Sequence, residues 1–208
     1  MAKNQFKKQD GPAPKTKKRK ARPAGPGKAQ KLAAPFLQFL KDERTRKVTG
    51  LFLILFSACM LVAFTSFLFT WKVDQDVMLH HSWWDILTSS ELQVDNWLGA
   101  IGAMLAHQFI HKWFGIASFL FVLLLFLLGF RVLFGINLLP LGKTTRYSFF
   151  ALLWLSVTLG ALFGDPYAFL GGSVGRTVNK WLSSTLGGIG TGFVIVFALL
   201  AFLIISFN

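Results

Sequence analysis

Residues 97–134 read WLGAIGAMLAHQFIHKWFGIASFLFVLLLFLLGFRVLF. The stretch is 38 residues long, whereas a helix needs only about 20 apolar residues to cross a bilayer core. It divides at Gly115. The first half is small and flecked with polar residues; the second is Leu, Phe and Val. The pattern returns 73 residues later, with Gly99, Gly102 and Gly115 matched by Gly172, Gly175 and Gly188 and an apolar run after each set. This predicts two copies of one unit, a glycine-marked helix at the membrane surface feeding a transmembrane helix.

The rest of the chain supports that reading. Of its 208 residues 53% are hydrophobic, with 23 Phe and 7 Trp. They fall in blocks rather than in amphipathic periods, so the expected fold is an all-α polytopic membrane protein. Four crossings are expected, at about residues 48–70, 116–134, 147–163 and 189–207, as two helix pairs, each with a Gly-rich interfacial helix. Surface helices are expected at residues 97–113 and 167–186, and a polar, acidic loop at residues 73–96. The lone Cys59 excludes an internal disulfide.

Charge is uneven. Residues 1–47 hold 15 of the 22 Lys and Arg and 3 of the 9 acids, a net +12 of the total +13. Residues 1–34 are Lys, Pro and Gly with little to bury, and are expected to be a disordered tail. Lys15, Lys17, Lys18, Arg19, Lys20 and Arg22 are its candidates for contact with anionic lipid or nucleic acid; a charge run that only enforces topology is the plain alternative. Residues 35–47 are expected to form a short interfacial helix running on into the first crossing. The basic tail and the loop around Lys143 and Arg146 belong inside and the acidic loop outside, which puts both termini in the cytoplasm.

On a helical wheel Gly99, Gly102, Ala103 and Ala106 share one side of the first surface helix. Small residues there allow close helix packing, within one subunit or between copies. His107, Gln108, His111 and Lys112 lie on the other side. The two histidines have the spacing of helical metal ligands, but no acid or Cys lies near them in sequence, so a wet polar face is expected. Leu141–Thr145, LGKTT, echoes the end of a phosphate-binding loop; its first Gly position is Asn137 and no strand precedes it, so no nucleotide site is expected. No catalytic residues, cofactor or metal are expected in these residues. The crossings lack mid-membrane charges, which argues against a coupled transporter. A pore lined by backbone or hydroxyl groups would leave no such trace, so a small channel or transporter built from the two repeats is the second reading.

Several strings resemble the N-terminal membrane domain of the FtsK/SpoIIIE DNA translocases, in wording closest to Bacteroidetes-type members. They are FLKDERTRKVTGLFLILFS, FTWKVDQD, VDNWLGAIGAMLAHQFI with FGIASFLFVLLLFLLGFR, and GGSVGRTVNKW with GGIGTGF. The resemblance covers about residues 36–207. It implies an anchor in the bacterial inner membrane at the division septum, contacting membrane lipids and division-septum proteins and self-assembling as a homo-oligomer, a hexamer in the family. It also implies a motor that uses ATP and Mg to pump chromosomal DNA. The motor's motifs are not among these 208 residues, so none of its catalytic positions carries over.

Overall fold

The computed structural model describes residues 42–89, 92–164 and 167–207. The basic tail, with its six candidate contact residues, and residues 35–41 of the expected interfacial helix lie outside the described residues. So do Glu91, Asp165 and Pro166.

Helix α1 spans Glu43–His80. Asp42 caps it by accepting from the Thr45 backbone N–H at 3.1 Å, and Glu43 places an acid in the positive first turn. At about 1.5 Å per residue its 38 residues span about 57 Å. That is well beyond a hydrocarbon core of about 30 Å, so charged turns emerge at both ends. The helix therefore runs ten residues past Thr70, where the sequence suggests a crossing ends, and takes up the first third of the expected loop. The loop contains a second helix, α2, Trp83–Thr88, started by a reciprocal cap between Ser82 and Asp85. The Ser82 hydroxyl and backbone N–H hold the Asp85 carboxyl below the usual carboxylate range, so this cap persists at neutral pH and is lost only as pH falls below that range, through the lowered value.

Helix α3, Gly99–Ala106, passes into a π-helical segment, His107–Phe114. A 3-10 turn, Gly115–Ser118, then leads to the second crossing, α4, Phe119–Phe134. Pro140 precedes α5, Leu141–Leu162, which starts six residues before the expected crossing because Pro140 O accepts from the Lys143 and Thr144 N–H groups. A short 3-10 turn, Ala168–Leu170, precedes α6, Gly172–Phe207, which is kinked at Gly187. Four helical stretches are long and apolar enough to cross a membrane: Glu43–His80, Gly99–Phe134, Leu141–Leu162 and Gly172–Ser206. Among the described residues there is no strand.

The crossings pack as two pairs, α1 with α4 and α5 with α6, while α4 and α5 touch only lightly. Gly50 and Gly129 let α1 and α4 approach; a Cβ on Gly50 would stand 2.5 Å from the Leu133 backbone N. Trp154 Nε1 donates to the Ile195 carbonyl at 2.9 Å, and Phe150 stacks on Phe202 at 3.9 Å, tying α5 to α6. The main core gathers Met60, Ala63, Phe64 and Phe67 of α1, Ala106, Ile110, Val122 and Phe169. Phe169 comes from the second repeat, so this cluster joins the two halves.

Candidate functional site

The region that carries the repeat is the contact between the two surface helices. Gly99 and Gly172 open them at φ 61° and 65°, and Gly115 and Gly187 end them at φ 68° and 71°. The left-handed start and the left-handed hinge thus recur in both copies, at backbone angles that favour glycine. The hinge of the second copy is Gly187 and not Gly188, which the sequence alignment pairs with Gly115. Gly188 has open space around it and ordinary helical geometry. The π segment explains the offset. A turn closed from i to i+5 holds one residue more than an α turn, so the first copy needs one more residue between its glycines. The extra turn is secured locally: the Gly115 N–H reaches the Ile110 carbonyl, and the Ser118 hydroxyl donates to the Phe109 carbonyl at 2.5 Å.

The two copies meet backbone to backbone. A Cβ on Gly115 would collide with the Leu170 carbonyl, and one on Gly172 with the Trp113 carbonyl and the Gly115 nitrogen. Within the second pair a Cβ on Gly175 would strike the Ser156 carbonyl, and one on Gly160 would lie 2.6 Å from the Gly175 carbonyl carbon. Around this crossing the Ser156 hydroxyl donates to the Gly171 carbonyl at 2.7 Å, and Asn179 Nδ2 to the Gly160 carbonyl at 3.1 Å. Ser156, Gly160 and Gly171 are therefore part of the contact, although no repeat pattern marks them. Their signal in the sequence was only that they are small residues in or beside an apolar run.

The small side of α3 packs within the chain. Ala106 belongs to the main core, and Ala103 is buried with Met78, Ile86 and Met104. Gly102 lies beneath the preceding loop, where its Cβ would meet the Asn96 carboxamide oxygen and Leu98 Cβ. That loop is held down by buried polar groups. Asp74, fully buried on α1, accepts from the Thr70 hydroxyl at 2.5 Å and from the Asp95 N–H at 2.9 Å. Ser66 accepts from the Trp97 N–H at 2.9 Å, and Asn96 Nδ2 donates to the Ala63 carbonyl at 3.1 Å. The acidic loop is thus pinned to α1 at residues 95–97, a docking that charge counting alone did not suggest.

The polar side of this segment is only partly wet, against the expectation from the sequence: Lys112 is exposed and Gln108 and His111 are half-buried, but His107 is buried. His107 is 1% exposed and stacks on half-buried His111 with ring centroids 4.8 Å apart. Among the described residues no hydrogen-bond partner reaches either ring nitrogen of His107 or Nδ1 of His111. The reason is tertiary: the π segment packs against α6 rather than facing solvent. The positive charges of Lys112 and, on α6, Arg176 act on this pair. Two such cations oppose a metal ion there, and the described residues hold no group of three His, Cys, Asp or Glu placed to bind one.

No curated protein and no solved structure matches the chain. One family description does, the 4TM region of DNA translocase FtsK/SpoIIIE, over residues 42–208. That match takes in all four apolar helices, both glycine hinges and the pinned loop, and the chain belongs to the family of FtsK/SpoIIIE four-transmembrane regions.

Proposed function

We propose that this chain is the membrane anchor and oligomerisation domain of a septal DNA translocase acting in cell division and chromosome segregation. The observation that carries the reading is the family match across residues 42–208. In this reading the domain sits in the bacterial inner membrane with both termini cytoplasmic. ATP, Mg and chromosomal DNA engage a motor that is not among these residues, and division proteins meet the anchor at the septum. The basic residues from Lys15 to Arg22 lie against anionic headgroups or DNA. Support for self-association comes from α6. Only 6% of its most apolar 18-residue stretch is buried, against 33% in α1, which leaves a long apolar face for lipid or a second copy.

Three measurements test the proposal. Single cysteines at Gln75 and Gly142, in a Cys59→Ser background, should label from opposite sides of intact cells; labelling from one side refutes the topology. For assembly, a cysteine at Phe197, which is 71% exposed on α6, should cross-link copies in native membranes. A fluorescent fusion of the chain should also gather at the septum. A fusion spread evenly around the cell, with monomers only, would sink the anchor reading.

A further inference from the structure

Helices α4 and α5 touch only lightly, and a groove of about 570 Å³ lies between them. Phe121, Leu125 and Leu128 of α4 form one wall, and Leu141, Gly142 and Arg146 lie on the other. The lining is mostly apolar and includes Thr145 and the cationic Arg146. Arg146 is exposed, and so are Lys143 and Arg131, which stands one turn beyond Leu128 on α4. Among the described residues none of these three cations has an ion pair or hydrogen-bond partner. No Asp or Glu occurs anywhere in residues 97–164. A cation without an acidic partner in the lining of an apolar groove between transmembrane helices matches a phospholipid with an anionic head, whose charge meets the guanidinium while an acyl chain lies along the groove.

We infer that the groove between α4 and α5 is a binding site for one anionic phospholipid, headgroup on Arg146 and acyl chain against Phe121, Leu125 and Leu128. The lipid then fills the gap that protein contacts leave between the two helix pairs. Gly142 offers a way to close the slot, because a Cβ there meets nothing within 4 Å. A large side chain at this lining position starts in open space without striking backbone.

The test uses the full chain with Lys15, Lys17, Lys18, Arg19, Lys20 and Arg22 changed to Gln, so that the tail does not contribute. The purified protein is titrated with phosphatidylglycerol or with phosphatidylcholine of the same acyl chains, and retained lipid is counted by native mass spectrometry. One phosphatidylglycerol per chain should be retained in preference to phosphatidylcholine. Arg146→Gln should cut that preference about fivefold, as expected for one basic residue near an anionic head. Gly142→Trp should lower retention of both lipids, and free glycerol phosphate should not compete at matching concentration. Unchanged preference in Arg146→Gln, unchanged retention in Gly142→Trp, or equal competition by glycerol phosphate would each overturn the site. Because a variant can fail to fold, the parent chain is also labelled with phosphatidylglycerol carrying a photoreactive group on its acyl chain. Cross-links should fall in residues 121–128 and 141–146; cross-links only elsewhere would overturn the inference.

Discussion

Gly115→Ala should be among the most destabilising single-methyl changes in this chain, lowering stability by roughly 2–6 kcal/mol. Two costs combine. Gly115 holds φ 68° and ψ −148°, a region open almost only to glycine, where a side chain costs about 1–3 kcal/mol. Its new Cβ would also drive into the Leu170 carbonyl, and overpacking of this kind costs about 1–3 kcal/mol. Two further glycines separate the terms. Gly187 has the same kind of backbone, φ 71° and ψ 171°, but open space around it, so Gly187→Ala should incur the strain alone, about 1–3 kcal/mol. Gly188 is helical with open space; Gly188→Ala should be neutral or stabilise by up to about 1 kcal/mol. Thermal unfolding of the three variants in detergent checks the order. If Gly188→Ala were as harmful as Gly115→Ala, the hinge of the second repeat would be at Gly188 and the one-residue offset assigned to the π turn would be wrong.

Asp74→Ala is expected to cost about 1–3 kcal/mol and to free the loop at residues 92–98. The Asp74 carboxyl is fully buried and takes both the Thr70 hydroxyl and the Asp95 N–H. Truncation removes both bonds to a charged, buried acceptor, and a hydrogen bond to a charged group contributes about 1.5–3 kcal/mol, less where the freed donor can reach water. Asp74→Asn should lose less, since its amide oxygen can still accept from Asp95 while its NH₂ cannot accept from Thr70. Hydrogen exchange gives the local readout: the Asp95 and Trp97 amides should exchange faster in Asp74→Ala, with the α5–α6 pair unaffected. Uniformly faster exchange across the chain would mean that Asp74 supports the whole bundle rather than this loop.

Some of the chain could be read directly. Four blocks of apolar residues, each long enough for a crossing, lead to four membrane helices whatever packs against them, because the backbone must satisfy its own hydrogen bonds in lipid. The glycine repeat was legible for a related reason. A backbone at positive φ in both copies restricts those positions to glycine, and the restriction leaves a mark in the sequence. Gly99 and Gly172, expected as packing residues, open their helices at positive φ, and a Cβ on Gly99 would meet nothing, so that position answers to the backbone angle and not to close packing.

Other features depend on partners distant in sequence. Asp74 and the loop at residues 95–97 are over 20 residues apart, and charge counting treats both as solvated acid; burial against α1 turns the aspartate into a pin. His107 and His111 look like a wet face on a helical wheel, and the packing of α6 covers them. Helix ends also escaped, since α1 continues to His80 on residues polar enough to read as loop. The sequence by itself determined the number of crossings, the two repeats and the approximate positions of the hinges, because these follow from local composition and from backbone angles that only glycine adopts. The tertiary structure alone decided that the second hinge is Gly187, which faces of the surface helices are buried, and that an open groove separates the pairs. Those outcomes depend on one inserted π residue and on contacts between helices, which no local pattern records.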